Sequence, residues 1–420
     1  PFEQGGSEGF STVTWKGDGI ANQYIGGVGF KPDFVWIKDN DGGNSHHLFD
    51  SVRGAGERLR SDSTAAEDTV NSHTAFNNDG FTLGASGTGI SVSGNKHVAW
   101  NWDMGGSNAN NTTGSTNSVV RASTTYGQSI VTYTGQSGAQ TVGHGLGGVP
   151  EMYWVKNRSN ADEWRVYHKG LNGGTNPEQY SLRLDTPDAQ QDRTDWNDTA
   201  PTSTVFSVGD SQVVNSGHGN SYVAYCFRSI TGYSLIGSFT GNGDSRSTAI
   251  TITCGFKPQF ILMKIIDASS NRDWYIWDDI RSNPPAKHAR PDINNADGGE
   301  AGKITFTSTG VDITTNDDEL NADGKITVYM VFADKREFAY YSDRSGNGND
   351  FTSANLTESD IVLDTPSNNF PTLNPLSRPA FGDGDARTKA TLTEGNLKFD
   401  TVASQTTYLA AAASIDLGSS

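Results

Sequence analysis

Residues able to perform chemistry are plentiful in this 420-residue chain, but few stand at the spacings that a catalytic site needs. The segment Gly143–Gly148 (GHGLGG) has the G-x-G-x-x-G spacing of dinucleotide-binding loops, in which a helix N-terminus approaches the pyrophosphate. Here Val149, Pro150 and a predicted strand follow, which is typical of a flexible hairpin turn. Lys303 and Lys325 each follow a glycine, but neither is followed by the Ser or Thr of a P-loop. We therefore predict no cofactor.

Metal-binding and nucleophile motifs are equally weak. The chain contains no G-x-S-x-G elbow and no H-E-x-x-H motif, and no carboxylate pair stands out as a glycosidase pair. His46 and His47 are adjacent, so on a strand they point to opposite faces and are expected to be surface or core histidines. The stretch Asp39–Asn44 resembles the start of a calcium loop, with Asp50 at the twelfth position, but Asn44 stands where that loop requires Gly. The preferred interpretation is a solvated turn and the alternative a calcium site; we predict no metal, no catalytic residue and no enzyme.

Four aromatic side chains are the best candidates for a ligand surface. They lie in polar surroundings, and sugar rings stack on such amphipathic aromatic faces. The candidate glycan contacts are Trp164, Trp196, Trp274 and Trp277. The alternative is that these side chains cap the edges of β-sheets.

The elements that must position these residues are built three times. The decapeptide Gly29–Lys38 (GFKPDFVWIK) recurs as Gly147–Lys156 (GGVPEMYWVK) and Gly255–Lys264 (GFKPQFILMK). The long separation of the copies is typical of whole domains in tandem rather than of solenoid repeats. Each repeat also ends in a strand with alternating large apolar residues, which share one face: Val98, Trp100 and Trp102, then Val223, Tyr225 and Phe227, then Val328, Met330 and Phe332.

These patterns predict where the core lies. We expect the shared face of the closing strands to be the core face, with Trp36, Trp100 and Trp102 buried. Pro32, Pro150 and Pro258 should begin equivalent strands, where a missing N–H costs least. Residues Phe34–Ile37 are apolar on both faces, which indicates a central strand.

Composition indicates an all-β fold. The 49 glycines, the polar turn residues and the lack of a long 3.6-residue apolar period predict short strands joined by turns. We predict three tandem β-sandwich modules, jelly-roll or concanavalin-like, with an extended connector and a truncated C-terminal β segment. The predicted boundaries are 1–106 for the first module, 107–127 for a polar linker, 128–230 and 231–338 for the second and third modules, 339–379 for the connector and 380–420 for the start of a further β domain.

Charge and cysteine content narrow the possible partners. With 31 Lys and Arg against 48 Asp and Glu, the net charge is −17 and no basic stripe occurs, which argues against phosphate-mediated binding of nucleic acid. No apolar run approaches the roughly 20 residues that span a bilayer, so membrane insertion is not expected.

Because the chain starts at Pro1, we expect it to be part of a longer protein. Cys226 and Cys254 are predicted to be buried free thiols.

Several motifs of the first repeat occur together in a known family. After Gly29–Lys38 come Leu48–Gly56 (LFDSVRGAG), Asn78–Gly84 (NDGFTLG) and Val98–Trp102 (VAWNW). This set resembles a module repeated in structural proteins of tailed phages of marine bacteria. The likeness is strong over residues 10–105 and weaker later, because Val166–Gly170 and Trp277–Arg281 stand where the first repeat has Phe49–Arg53. Asp360–Pro375 also looks like a stretch that precedes a concanavalin-like or SPRY-like sandwich in such proteins.

What the resemblance implies is a phage virion structural protein, a tail fibre or host-recognition component, built as a non-enzymatic rod of β-sandwiches on the particle surface. Expected partners are other virion proteins and a host surface glycan. We expect a homo-oligomer, most simply a trimer, because multivalency strengthens weak receptor contacts. Its contacts should use apolar edges or the connector Tyr340–Pro379. The alternatives are a head decoration protein, or a secreted carbohydrate-binding or carbohydrate-cleaving protein with lectin-like modules.

Overall fold

Short antiparallel strands account for almost all of the regular structure. The computed structural model describes residues 9–84, 89–243, 250–267, 271–281, 287–299, 302–333, 390–393 and 396–399. Among these residues the only helical segments are three short 3-10 turns: Leu171–Gly174, Pro177–Gln179 and Thr194–Trp196. The all-β prediction is confirmed. No helix in the described part of the chain is long and apolar enough to cross a membrane.

The first repeat forms a six-stranded sheet and a smaller three-stranded sheet. Its strands are β1 (Phe10–Lys16), β2 (Tyr24–Gly26), β3 (Phe34–Asp39), β4 (His47–Asp50), β5 (Gly54–Leu59), β6 (Asp68–Thr69), β7 (His73–Asn77), β8 (Gly80–Leu83) and β9 (Lys96–Trp102). The large sheet, here called the first sheet, has the order β1-β9-β3-β4-β5-β6, and the small one has the order β2-β8-β7.

The second repeat forms another six-stranded sheet, here called the second sheet. Its strands are β10 (Ala109–Asn111), β11 (Ser118–Ser123), β12 (Gln128–Thr134), β13 (Gln140–Gly143), β14 (Met152–Asn157), β15 (Arg165–His168), β16 (Tyr180–Ser181), β17 (Gln191–Asp192), β18 (Val205–Val208) and β19 (Ser221–Phe227). The second sheet has the order β10-β11-β12-β19-β14-β15, and β13-β18 and β16-β17 pair beside it. The predicted linker 107–127 is therefore wrong, because it supplies β10 and β11, the two strands at one edge of this sheet.

The third repeat forms the third sheet in the same way. Its strands are β20 (Ser234–Thr240), β21 (Ile250–Thr253), β22 (Pro258–Ile265), β23 (Tyr275–Asp278), β24 (Lys287–Ala289), β25 (Gly298–Gly299), β26 (Ile304–Thr307), β27 (Gly310–Ile313) and β28 (Ile326–Ala333). The third sheet has the order β20-β28-β22-β23-β24-β25, and β21-β27-β26 form its small sheet.

The three large sheets share one strand order at their centres. In each, the opening strand pairs with the closing strand, which pairs with the decapeptide strand and then with the next strand in sequence. The register also matches, since the central pairs are Trp36 with Trp100, Trp154 with Tyr225, and Leu262 with Met330. Pro32 and Pro150 lie just before β3 and β14, and Pro258 is the first residue of β22.

Each large sheet is buried on both faces. In β3, Phe34 and Trp36 join one core cluster, whereas Val35 and Ile37 join another. The cluster of Val35 and Ile37 contains residues of the first repeat only and lies between its large and small sheets. We call such a cluster the private core of a repeat, and the second and third repeats each have one. The first cluster contains residues of all three sheets. Because side chains alternate along a strand, one apolar run fills both cores.

This shared cluster corrects two expectations. Trp36, Trp100 and Trp102 are fully buried as predicted, but their face packs against the other two sheets and not within one sandwich. A linear rod is also wrong, because Phe10 of the first repeat lies 5.2 Å from Phe260 and 5.0 Å from Phe332 of the third, ring centre to ring centre. The described residues between 9 and 333 thus form three sheets around a common core.

Contacts divide the chain into two units, Pro1–Ser353 and Ala354–Ser420, which are taken separately. In the second unit the structure describes one antiparallel hairpin, β29 (Ala390–Thr393) paired with β30 (Asn396–Phe399). Both strands were expected from their alternation. The predicted connector 339–379 and the rest of the predicted β domain 380–420 lie outside the described residues.

Candidate functional site

Three equivalent aromatic residues meet where the three sheets converge. Trp102, Phe227 and Phe332 occupy the same position on the closing strands β9, β19 and β28. Their ring centres are 6.4 Å apart for Trp102 and Phe227, 5.8 Å for Trp102 and Phe332, and 6.1 Å for Phe227 and Phe332. We call these residues the axis triangle. Mutual contact of three equivalent residues indicates an approximate threefold axis through the shared core.

Between each pair of repeats a seam is closed by an equivalent backbone hydrogen bond. The three bonds run from Glu67 N to Arg158 O (2.9 Å), from Gln190 N to Ile266 O (2.8 Å) and from Asp297 N to Asn40 O (2.9 Å). They join the first repeat to the second, the second to the third, and the third back to the first. Head-to-tail contacts that return to their starting point form a closed ring, which here lies within one chain.

Two of the predicted glycan contacts are part of these seams. Trp164 Nε1 donates to Arg60 O of the first repeat at 2.8 Å, and Trp274 Nε1 donates to Arg183 O of the second at 2.7 Å. Their exposed fractions are 0% and 1%, so neither face is open to a sugar ring. The glycan assignment is wrong for both. Their polar surroundings are backbone groups of the neighbouring repeat, for which the indole N–H is the donor.

The other two predicted contacts are also buried. Trp196 is 0% exposed, donates its Nε1 to Tyr180 O at 3.0 Å, and packs edge-on against Tyr153 with ring centres 4.9 Å apart. Trp277 is 0% exposed in the private core of the third repeat, with its ring centre 5.0 Å from that of His288. Stacking on a sugar is therefore excluded for all four tryptophans in this structure. Trp196 and Trp277 are core residues of their own repeats.

A buried lysine stands at the end of each decapeptide strand. Lys38, Lys156 and Lys264 are 0 to 1% exposed. Lys156 Nζ donates to Asn157 O at 2.8 Å and across the seam to Thr64 O at 3.1 Å. Burial lowers the pKa of Lys156 to about 8, although nearby carboxylates such as Asp162 oppose this shift. A lysine with a lowered pKa can be a nucleophile, but here carbonyl oxygens enclose the ammonium, so it is a structural donor.

The first–second seam contains a buried charge cluster. Arg53 donates through Nε to Asp50 and through a terminal nitrogen to Glu67 at 2.8 Å, and two backbone carbonyls take its other donors. From the second repeat, the Tyr225 hydroxyl donates to Asp50 at 2.6 Å, and Arg158 binds Glu67. Burial disfavours the charged guanidinium, but Asp50, Tyr225 and Glu67 together raise the pKa of Arg53 above its ordinary value. The Arg53 guanidinium is therefore charged, and each of its three nitrogens donates a hydrogen bond.

The third–first seam repeats the aspartate–arginine pair of this cluster, with Asp297 in place of Glu67 and Trp100 in place of Tyr225. Arg281 donates to Asp278 at 2.6 Å and to Asp297 at 2.8 Å. From the first repeat, Trp100 Nε1 donates to Asp278 at 3.1 Å, and the Trp100 ring lies 5.2 Å from the Arg281 guanidinium carbon. His46 also lies at this seam, where it accepts a hydrogen bond from Trp36 Nε1 at 2.9 Å. Charge pairing and a cation–π contact therefore act together here.

The second–third seam is neutral at the corresponding positions. His168 stands in place of Asp50 and Asp278, Leu171 in place of the arginines, and Gln190 in place of Glu67 and Asp297. His168 Nε2 lies 3.2 Å from Tyr329 O of the third sheet, and Gln190 Oε1 accepts from Asn172 N at 2.7 Å. At these positions the seam relies on hydrogen bonds and apolar packing, without a guanidinium in place of those of Arg53 and Arg281.

The remaining candidate motifs have structural roles. Asp39 accepts from Asp41 N and Gly42 N, both at 3.0 Å, and from Asn44 Nδ2 at 2.7 Å. A carboxylate surrounded by N–H donors has little capacity left for calcium, so the calcium alternative has no support. In the GHGLGG segment, buried His144 accepts from Leu146 N at 3.2 Å, which makes the segment a turn between β13 and β14. Cys226 is buried and Cys254 half-buried, and both are free thiols.

One open depression lies outside the seams, in the second repeat. Its volume is about 330 Å³, and it is lined by Ser137, Asp210, Gln212, Asn215, Ser216 and His218. Asn215 already binds Gln136 N at 2.8 Å and Gly138 O at 2.7 Å, so it holds this loop region together. The described residues contain no cluster of three potential metal ligands. Neither the depression nor the seams present a nucleophile paired with a base.

Sequence reasoning missed the seams, although a signal for them exists. Arg60 and Asp62 recur as Arg183 and Asp185, and again as Arg290 and Asp292, each pair following its decapeptide strand. Within each repeat, the aspartate accepts from the backbone N–H of His46, Trp164 or Trp274 at 3.0 to 3.2 Å. The Arg60 and Arg183 carbonyls accept across the seams from the indole N–H groups of Trp164 and Trp274. An Arg-x-Asp pattern repeated at equivalent positions in all three repeats could have identified these contacts.

Comparison with known families is consistent with one continuous three-sheet unit. Residues 5–336 match the family described as a domain of unknown function (DUF7483), and the chain belongs to this family. The matched region contains all three large sheets. No curated protein matches the chain.

Proposed function

We propose that this DUF7483 protein is a non-enzymatic structural component of a phage virion surface, of the tail-fibre or host-recognition kind. In this proposal residues 9–333 form a rigid head. The observation that carries it is the closed ring of three seams around a common core, which makes one chain a preassembled threefold body.

The use of polar residues supports a scaffold. The buried lysines, both arginine clusters and the seam histidine make their hydrogen bonds to partners within the protein. A catalytic site instead needs groups that meet a substrate with perturbed acidity and open geometry. The perturbed groups here are enclosed at interfaces, as expected for structural groups.

The form of the proposed adhesin differs from the rod implied by sequence resemblance. The four tryptophans do not contribute to adhesion, so a host glycan would meet loop side chains on the outer surface. The proposed homotrimer needs contacts outside the three seams, because those surfaces are already paired within one chain. Association through residues beyond 333 satisfies this requirement.

Labelling of intact particles tests the proposal. Antibodies against residues 9–333 should decorate purified virions at the tail, and the purified chain should bind host cells and compete with virions for them. Label on the capsid shell would favour a head decoration protein. Absence from particles, with release of reducing sugar from host polysaccharide, would overturn the proposal in favour of a secreted carbohydrate-cleaving protein.

A further inference from the structure

His168 stands where the other two seams have Asp50 and Asp278, and its ring both accepts and donates a hydrogen bond. The ring is fully buried at the second–third seam. Gly170 N donates to its Nδ1 at 2.9 Å, and its Nε2 lies 3.2 Å from Tyr329 O across the seam. An N–H donor on one side and a carbonyl acceptor on the other fix the neutral tautomer that carries its proton on Nε2.

We propose that protonation of His168 opens the ring at the second–third seam, so that acid separates the third sheet from the second while the other two seams remain closed. This regulatory property is independent of the proposed location on a virion.

The geometry explains why a second proton is disruptive. A proton on Nδ1 would face the Gly170 N–H, so the buried hydrogen bond would be replaced by two opposed donors. The resulting imidazolium would also be buried without a bound carboxylate. Burial is the largest cause that lowers the pKa of His168 to about 4.

The groups around His168 do not offset this cost. Lys169 and Glu151 are the charged neighbours, and they act in opposite directions on His168 while pairing with each other at 2.9 Å. From the third sheet, β28 presents the Tyr329 carbonyl, and β20 places Ser238 beside Gly170. The Tyr329 phenol stays neutral because burial raises its pKa to about 12.

The other seams contain stronger attachments. The first–second seam has the Arg53 cluster, and the third–first seam has the Arg281 cluster and its contact with Trp100. His46 is buried at the third–first seam too, but the ion pairs of Arg281 with Asp278 and Asp297 form at that seam without involving His46. Acid should therefore open the second–third seam first.

The sign of the effect follows from the lowered pKa. The neutral ring stabilises the closed seam fully above the ordinary histidine pKa of about 6.5, and this contribution is lost as the pH falls toward about 4. Between pH 7.5 and pH 5, the opening equilibrium constant should rise about 30-fold if the open seam has an ordinary histidine pKa.

Hydrogen–deuterium exchange on the intact chain at pH 7.5, 6 and 5 tests this proposal, with rates corrected for the intrinsic pH dependence of exchange. We expect protection to fall by about 30-fold at residues 165–171 and 326–333, and by much less at residues 46–50. His168→Gln should keep a donor to Tyr329 O and remove the pH dependence.

His73→Gln is the matched control. His73 is equally buried and its pKa is likewise lowered to about 4 by burial, but it contacts the backbone of Ala55 and rings of its own repeat. This variant should keep the acid opening of the second–third seam. Uniform loss of protection in the wild type, or persistence of the local loss in His168→Gln, would overturn the proposal. If His168→Gln does not fold, the order in which the wild-type seams open still decides the matter.

Discussion

The first–second and second–third seams join equivalent surfaces of neighbouring repeats, but the first uses charged side chains and the second uses neutral ones. The first is held by Arg53 between two carboxylates, with Tyr225 donating across the seam. The second places His168 and Leu171 at the same positions, with no charge between them. Their backbone hydrogen bonds are nearly identical, at 2.9 and 2.8 Å. The backbone hydrogen bond is therefore common to the seams that close the ring of three repeats, whereas charged side chains are present at some seams and absent at others.

This difference matters because a buried ion pair stabilises a protein only under one condition. A buried ion pair loses the hydration of both partners, and its attraction compensates only when every donor and acceptor is paired. The Arg53 guanidinium meets that condition through four hydrogen bonds, two to carboxylates and two to backbone carbonyls of its own repeat. A neutral seam does not have to meet this condition, and a substitution in it should reduce the stability of the protein less.

The Tyr225 hydroxyl of the neighbouring repeat donates to Asp50, the carboxylate that also binds Arg53. Tyr225 therefore links the charge cluster to the second sheet. Its counterpart at the second–third seam is Met330, which has no polar group to offer. Removing one member of the charged seam should consequently have a larger effect than a comparable change at the neutral seam.

The largest expected effect is the loss of the Arg53 guanidinium. Arg53→Met should lower the free energy of unfolding by about 3–5 kcal/mol, because Asp50 would be left buried without its cation and Glu67 would keep only Arg158. Leu171→Met at the equivalent position of the neutral seam is the matched control and should cost less than about 1.5 kcal/mol. Urea denaturation of both variants measures the difference. Equal losses would show that the charge cluster is not the element that distinguishes the seams.

A change at the axis should weaken all three seams together. Trp102→Ala should cost about 3–5 kcal/mol, because it leaves a cavity where the axis triangle meets. Trp102→Phe should cost less than about 1.5 kcal/mol, since Phe occupies both equivalent positions and the Trp102 Nε1 has no hydrogen-bond partner among the described residues. Thermal unfolding of the two variants measures the loss of stability, and hydrogen–deuterium exchange shows which seams lose protection. A loss of protection confined to one seam in Trp102→Ala would contradict a common axis.

How much of this could be predicted from the sequence is clear from Trp102 and Trp164. Alternation on β9 correctly predicted that Trp102 is buried, because an apolar strand face must be covered. Alternation could not predict which residues cover Trp102, because it indicates that a side chain is buried but not which residues it contacts. Trp164 has polar neighbours in sequence, but the group that covers it is Arg60 O, about a hundred residues away. Contacts at that separation leave no local pattern.

The predicted linker failed for a related reason. Residues 107–127 are polar because their strands lie at the margin of the second sheet, where only one side packs on a core. Val120 joins the private core of the second repeat, while Ala109 and Asn110 are exposed. An edge strand with one sparse apolar face and a flexible linker have similar compositions. Pairing with β12 decides between them, and pairing is a tertiary property.

A smaller effect is expected from the hydroxyl that crosses the first–second seam. Tyr225→Phe should cost about 1.5–3 kcal/mol, the usual range for a hydrogen bond to a charged group, because it removes the donor to Asp50. Tyr133→Phe is a suitable control, since its buried hydroxyl donates to a neutral carbonyl, Val214 O, within the second repeat. That change should cost about 0.5–1.5 kcal/mol. Chemical denaturation would contradict the distinction if Tyr133→Phe were the more damaging change.

The smallest effect is expected when the chemistry of one seam is transplanted whole into the other. Asp50→His, Arg53→Leu, Glu67→Gln and Tyr225→Met together would give the first–second seam the residues of the second–third seam at these four positions, with the partly exposed Arg158 retained. Replacement of a complete buried ion cluster by neutral residues of similar volume is often neutral or stabilising, whereas removal of one partner is strongly destabilising. We therefore expect the fourfold variant to lie within about 1.5 kcal/mol of the wild type.

The transplant also predicts a second response to acid. The introduced histidine at position 50 would make the first–second seam neutral and protonatable, so exchange protection there should fall between pH 7.5 and pH 5 as it does at the second–third seam. Urea denaturation at pH 7.5 gives the stability of the variant, and exchange at the two pH values gives the seam that opens. A fourfold variant less stable than Arg53→Met alone would mean that the first–second seam depends on its charges and not on the shared backbone contact, because completing the neutral set would then have restored nothing.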